Sequence, residues 1–99
     1  MNLQMELKNF LDDKGRLKLY PSKRKMKTLA LVYLASKFKD GVVYQEKEIN
    51  EILSEFHTFN DVCILRRELY QYKFLNRTQD CKKYWKEEQQ PLIEEYFNN

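Results

Sequence analysis

Asp61-Val62-Cys63-Ile64-Leu65-Arg66-Arg67-Glu68-Leu69-Tyr70-Gln71-Tyr72, followed directly by Phe74-Leu75-Asn76-Arg77-Thr78 and Lys82-Lys83-Tyr84-Trp85, decides the architecture. Val62, Leu65, Leu69 and Tyr72 recur at helical spacing, and Asn60 or Asp61 is placed to cap the first turn. The two shorter runs flank Gln79-Asp80-Cys81 and read as two short strands joined by a turn. A helix that runs straight into a basic hairpin is the expectation. Cys63 is expected to be buried.

Upstream, Gln45-Glu46-Lys47-Glu48 opens another helix with its acids in the first turn, where they favour the helix dipole. Its buried face is Ile49, Ile52, Leu53 and Phe56, and Val42-Val43-Tyr44 before it is long enough only for a strand fragment. Further back, Ser22 can cap a long helix whose stripe is Met26, Leu29, Ala30, Tyr33, Leu34 and Phe38, running down to Asp40-Gly41. Arg16-Leu17-Lys18-Leu19-Tyr20 alternates polar with apolar residues, the pattern of a half-buried edge strand that Pro21 closes. Leu3, Leu7, Phe10 and Leu11 predict an N-terminal helix that stops at Asp12-Asp13-Lys14-Gly15. Pro91 fits the first position of a last helix carrying Leu92, Ile93, Tyr96 and Phe97.

The order from Ser22 to Trp85 is long helix, tiny strand, helix, turn, helix, hairpin. The fold class expected is mostly α with a small β component, winged helix-turn-helix-like, with extra N- and C-terminal helices. Ninety-nine residues suffice for one hydrophobic core. Residues 1–99 are therefore taken as a single domain, with its core at about 16–86 and terminal helices at about 3–11 and 91–97. Leu65, Leu69, Phe74 and Trp85 are the core positions expected to hold the basic surface in place.

Hydrophobic residues at 42% and charged residues at 33%, with two Gly and two Pro, exclude a disordered or fibrous chain. The first residues lack a basic start followed by an apolar run, and no stretch approaches the roughly 20 apolar residues of a membrane span. A cytoplasmic protein with no membrane contact is expected. Two cysteines, Cys63 and Cys81, make neither a disulfide framework nor a C-x-x-C motif, and reduced thiols follow.

The net charge of +3 is small, but it is arranged in blocks. Lys14 to Lys39 holds nine bases and no acid, Glu46 to Asp61 five acids and one lysine, and Arg66 to Lys86 seven bases against two acids. From Glu87 onward there are four acids and no base. In a winged arrangement the third helix can enter a major groove about 12 Å wide while the hairpin lies against the flanking backbone. Arg66, Arg67, Tyr70 and Lys73 would then face bases or phosphates, and Arg77, Lys82 and Lys83 would be wing contacts. The planar fork of arginine can bond guanine O6 and N7 together, whereas lysine mostly supplies phosphate affinity.

A competing use of Arg66 and Arg67 is pairing with Glu46, Glu48 or Glu51 to hold two helices together. The acidic helix also weighs against DNA, because it would lie near the phosphate backbone. Lys23, Arg24, Lys25 and Lys27 open the long helix and are read as a solvated face before a phosphate grip.

Enzymatic chemistry finds no support in the spacing. His57 with Cys63 or Cys81 would be needed for a nucleophilic mechanism, and the same three residues fall short of the four ligands of a structural zinc site. Gly15 and Gly41 both stand where turns are needed, so there is no phosphate loop. Glu46, Glu48, Glu51 and Glu55 fit the polar side of an amphipathic helix rather than a pair of catalytic carboxylates. No catalytic residue, cofactor or metal is expected.

Tyr20-Pro21-Ser22-Lys23-Arg24-Lys25, Tyr44-Gln45-Glu46-Lys47-Glu48-Ile49-Asn50-Glu51-Ile52-Leu53, Asp61, Leu65-Arg66-Arg67-Glu68-Leu69, Phe74-Leu75-Asn76-Arg77 and Tyr84-Trp85 together resemble the bacterial domain of unknown function two thousand eighty-seven. The resemblance covers roughly Phe10 to Trp85. It implies a winged-helix-like domain often attached to a repressor-type helix-turn-helix domain, hence a link to transcriptional control, and it carries no established activity. This chain departs from that pattern at Cys81, where a glycine usually follows the aspartate of the hairpin, and no preceding regulator domain is expected within its 99 residues.

These readings converge on a non-enzymatic, nucleic-acid-binding domain of transcription-regulator type, with DNA as partner and Arg66, Arg67, Tyr70, Lys73, Arg77, Lys82 and Lys83 as its contact surface. The terminal helices have apolar faces that the core does not need, and homodimerisation through them is a further expectation. The alternative is a protein-interaction or dimerisation module, or a small-ligand sensor with a pocket among Tyr33, Tyr44, Tyr72 and Trp85, acting without direct DNA binding.

Overall fold

The computed structural model describes residues 3–91. Its elements are α1 (Leu3–Glu6), α2 (Arg24–Ala35), β1 (Val43–Gln45), α3 (Glu46–Glu55), α4 (Val62–Gln71), β2 (Leu75–Arg77) and β3 (Lys83–Lys86). The fold is thus four helices and one antiparallel three-stranded sheet among the described residues, with β3 in the middle of the order β1-β3-β2.

Two helix starts, those of α3 and α4, have a side-chain cause. Gln45 and Glu48 form a reciprocal capping box at α3, the Gln45 N–H donating to Glu48 Oε1 at 2.8 Å. The Asp61 carboxylate accepts from the Ile64 N–H at 3.2 Å and caps α4. Ser22 does not cap α2. The N-cap position belongs to Lys23 and carries no side-chain cap hydrogen bond, and the helix ends at Ala35, short of Phe38.

Helix α4 ends in a Schellman motif. The Phe74 N–H bonds the Leu69 carbonyl at 2.9 Å, the Lys73 N–H bonds the Tyr70 carbonyl at 3.1 Å, and Lys73 takes the left-handed conformation at φ 69. Burial of both Leu69 and Phe74 supplies the apolar contact that accompanies this motif. The chain therefore turns directly from α4 into β2.

The buried residues form one cluster to which every part of the fold contributes. Helix α2 supplies Leu29, Ala30, Leu31, Tyr33, Leu34 and Ala35, α3 supplies Ile49 and Leu53, and α4 supplies Leu65 and Leu69. Phe74 and Leu75 are buried as the chain enters β2, and Tyr84 is buried from β3. Tyr84, not Trp85, is the core residue of β3, because neighbouring strand residues face opposite sides and only one can point inward.

Three further expectations are corrected. Residues 16–20 form no strand: Leu17 alone is buried, bridging Leu11 and His57, while Leu19 is 51% exposed. Two leucines two apart would share a strand face, so their opposite fates rule out the period-2 reading. The N-terminal helix stops at Glu6 and continues as turns to a bridge at Leu11. Cys63 is exposed, because Leu65 and Leu69 face the core and Cys63 falls on the other side of the helix. The last expected helix, with Leu92, Ile93, Tyr96 and Phe97, lies outside the described residues.

Candidate nucleic-acid interface

Helix α4 packs on α2, α3 and β2, which fixes its inward stripe and leaves one outer face. Cys63, Arg66, Arg67 and Tyr70 lie at i, i+3, i+4 and i+7 on that face. The hairpin brings a second wall beside it. Arg77 pairs with Tyr84 across β2 and β3, and together with Cys81 they close a groove of about 240 Å³ with those four α4 residues.

Within the groove the two neighbouring arginines differ. The Arg66 guanidinium lies 3.2 Å from Glu46 Oε1 and also donates to Asn50 Oδ1, so α3 holds it across the α3–α4 contact. Its Nη2 reaches Cys63 Sγ at 3.9 Å. Glu46 and Asn50 stand four apart on one face of α3, the spacing that allows both to meet a single side chain. Arg67 is exposed, with no ion pair or hydrogen bond among the described residues.

Tyr70 is 37% exposed and carries the Arg77 guanidinium over its ring at 4.2 Å from the centroid. This cation–π contact ties helix to hairpin. Arg77 also donates from Nη1 to Cys81 Sγ at 2.8 Å and to the Thr78 carbonyl at 3.2 Å. The Tyr84 hydroxyl is held in its protonated form, mainly by burial; Arg66 acts against that shift and Glu46 adds to it.

The hairpin turn is built by side chains. Thr78 Oγ1 donates to Asp80 Oδ1 at 2.6 Å, the Lys82 N–H donates to the same oxygen at 3.0 Å, and Cys81 stands at φ 62. The Thr78 hydroxyl and then the Lys82 N–H hold the Asp80 carboxyl below its ordinary range. Lys82 and Lys83 line an adjacent open depression with Gln45, Glu46, Lys47, Asp80 and Cys81. Lys73 is separate, at the far end of α4, in a cleft with Gln71, Leu75, Asn76 and Glu87 that Tyr70 also borders.

Of the seven predicted contact residues, the structure thus gathers Arg66, Arg67, Tyr70 and Arg77 in one groove and sets Lys82, Lys83 and Lys73 on its flanks. Cys63 and Cys81 were not predicted to belong there. The spacing of Cys63 from Arg66 and Arg67 was the available signal for one of them.

His57 is occupied structurally. Nδ1 lies 2.7 Å from the Leu53 carbonyl and Nε2 accepts from the Asp61 N–H at 3.0 Å, which assigns the proton to Nδ1. No group of three or more His, Cys, Asp or Glu among the described residues is placed to hold a metal ion. No helix among them is long and apolar enough to cross a membrane. Of the tyrosines named for a ligand pocket, the Tyr33 hydroxyl donates to the Gly15 carbonyl at 2.6 Å and the Tyr44 hydroxyl accepts from the Lys39 N–H at 2.8 Å.

Comparison with known proteins gives one family. The family model described as an uncharacterised protein conserved in bacteria, DUF2087, matches residues 16–86. No curated protein and no solved structure matches the chain.

Proposed function

The chain belongs to the bacterial family DUF2087, and from that premise and the geometry of the α4–hairpin groove we propose that it is a winged-helix domain binding nucleic acid, with duplex DNA as its partner. The observation that carries this reading is the joint placement of Arg67, Tyr70 and Arg77 on one outer surface, with Lys82 and Lys83 beside them. In this reading α4 is the element that enters the major groove and β2–β3 is the wing.

The roles divide by chemistry. Arg67 is the base-reading candidate, since its free planar fork suits bidentate contact. Arg77, Lys82, Lys83 and Lys73 supply phosphate contacts, and Tyr70 orients Arg77. Arg66 pairs with Glu46, one of the four acids of α3, and serves the α3–α4 contact rather than the duplex. The domain acts by binding alone in this proposal, without catalysis or cofactor, and works in the bacterial cytoplasm.

The test is fluorescence anisotropy with a labelled random-sequence duplex over a salt series. The wild type should bind with a slope of log K against log salt set by about 0.9 per phosphate contact. Arg77→Ala and Lys82→Ala/Lys83→Ala should each weaken binding and flatten that slope. Absence of binding at low salt would overturn the proposal and leave the groove to a protein partner.

A further inference from the structure

Two thiols and three arginines share the α4–hairpin groove, and the nucleic-acid reading makes no use of the thiols. Cys81 also borders the depression lined by Lys82 and Lys83, so its sulfur is approached from two basic sides. Of the acids nearby, Glu46 is paired with Arg66, and Asp80, hydrogen-bonded to the Thr78 hydroxyl and the Lys82 N–H, keeps its charge against the four bases Arg67, Arg77, Lys82 and Lys83 that line the two depressions. The excess of positive charge favours anionic reagents over cationic ones near Cys81.

We propose that Cys81 is a thiol-modification site that exchanges with carboxylate-bearing low-molecular-weight disulfides, and that the adduct closes the groove. The sulfur of Cys81, having given its proton to solvent, attacks one sulfur of the reagent. A new S–S bond forms, the reagent's S–S bond breaks, and the departing thiolate takes up a proton. The exchange needs no other oxidant. Arg77, whose Nη1 lies 2.8 Å from the Cys81 sulfur, faces the negative charge spread over the reacting sulfurs. Arg67, Lys82 and Lys83 are positioned to attract the reagent's carboxylates. Cys63, although more exposed, has its nearest guanidinium at 3.9 Å, on an Arg66 already bound to Glu46.

The regulatory part of this inference rests on the proposed function; the chemical part does not. An adduct at Cys81 stands between Arg77 and the hairpin lysines, where the phosphate backbone would lie, and adds negative charge there.

The experiment compares two disulfides, oxidised glutathione and the cationic cystamine, on the whole chain. Adducts at Cys63 and Cys81 are followed by peptide mass spectrometry, and each rate is divided by its value on the same chain unfolded in urea. At low ionic strength the normalised Cys81 rate should favour glutathione disulfide by about tenfold, and the preference should shrink as salt screens the groove. Arg77→Leu should reduce the preference toward unity and Arg77→Lys should retain part of it, with circular dichroism confirming that both variants fold. Equal normalised rates for the two reagents, or modification of Cys63 ahead of Cys81, would overturn the proposal. In a separate arm, glutathionylation should weaken duplex binding of the wild type and leave Cys81→Ser unaffected. Failure of the reduced protein to bind any duplex counts against the proposed function, while the rate comparison still decides the thiol chemistry.

Discussion

Arg66 and Arg67 are adjacent in sequence, and truncating each to alanine should produce opposite kinds of damage. The Arg66–Glu46 pair is 3.2 Å apart, with side-chain exposures of 18% and 40%. Solvent screening on the glutamate side limits such a pair to about 0.5 kcal/mol. The hydrogen bond from the Arg66 guanidinium to Asn50 is charge-assisted and worth about 1.5 kcal/mol. Arg66→Ala should thus cost about 2 kcal/mol, a fall in the urea midpoint of a little over about 1 M for a slope near 1.5 kcal/mol/M. Arg67→Ala, on an exposed face without partners among the described residues, should stay within about 0.5 kcal/mol. Duplex titrations should reverse the order: Arg67→Ala weakens binding, while Arg66→Ala leaves the salt slope unchanged under conditions where it is folded. Urea melts followed by circular dichroism and anisotropy on the same preparations read both quantities. Equal midpoints for the two variants, or a salt slope altered by Arg66→Ala alone, would refute the division of labour.

Gly15→Ala should cost about 2–3 kcal/mol and Gly41→Ala only about 1 kcal/mol in urea melts. Both glycines have positive φ, but a Cβ on Gly15 would meet the buried Tyr33 hydroxyl at 2.9 Å, whereas nothing lies within 4 Å of one on Gly41; equal costs would contradict the close approach. His57→Leu should destabilise by about 2–4 kcal/mol, because it orphans both the Leu53 carbonyl and the Asp61 N–H, and a neutral result by calorimetry would mean that water satisfies both. Lys73→Gly should stabilise the fold by about 1 kcal/mol through relief of the left-handed conformation at φ 69; a lower melting temperature would count against the Schellman assignment. Tyr20 is pushed far above its ordinary value of 10.0 by burial and then by Glu68, whose Oε1 accepts a hydrogen bond from the Tyr20 hydroxyl at 3.3 Å. A raised folded-state value means stability fully present below about pH 10 and lost as pH rises beyond it, so Tyr20→Phe should flatten the alkaline limb of a stability–pH profile, and an unchanged limb would sink this assignment.

The core of the fold was legible where one period dominated. Leu65 and Leu69, Ile49 and Leu53, and Leu29 and Leu34 were named from helical spacing and are buried. The capping box at Gln45 and Glu48 was not named, although acids were placed in that first turn, since reciprocity depends on side-chain direction. Trp85 was named as a core residue, but the strand pleat allows only one of two neighbours inside and Tyr84 takes the place. Leu17 and Leu19 show the reverse error: alternation was present, but the partners of Leu17 are the isolated bridges to Leu11 and to the remote His57 rather than a neighbouring strand.

The candidate site was legible in composition and not in pairing. Seven basic and aromatic residues could be named from α4 and the hairpin, yet only packing separates an Arg66 held by Glu46 from an Arg67 left outside. Backbone conformation escaped altogether. Among the described residues, Asn60, Lys73 and Cys81 are the non-glycine positions with positive φ. Asn60 precedes the α4 cap, Lys73 ends α4, and Cys81 turns the hairpin, so all three stand at boundaries of the two walls of the groove. Cys81 stands at φ 62, a conformation that glycine adopts without steric cost. A cysteine kept in a conformation that costs about 1–2 kcal/mol for an ordinary residue gives up stability at the one turn where its sulfur meets Arg77. That exchange is understandable if the thiol has chemistry to perform there.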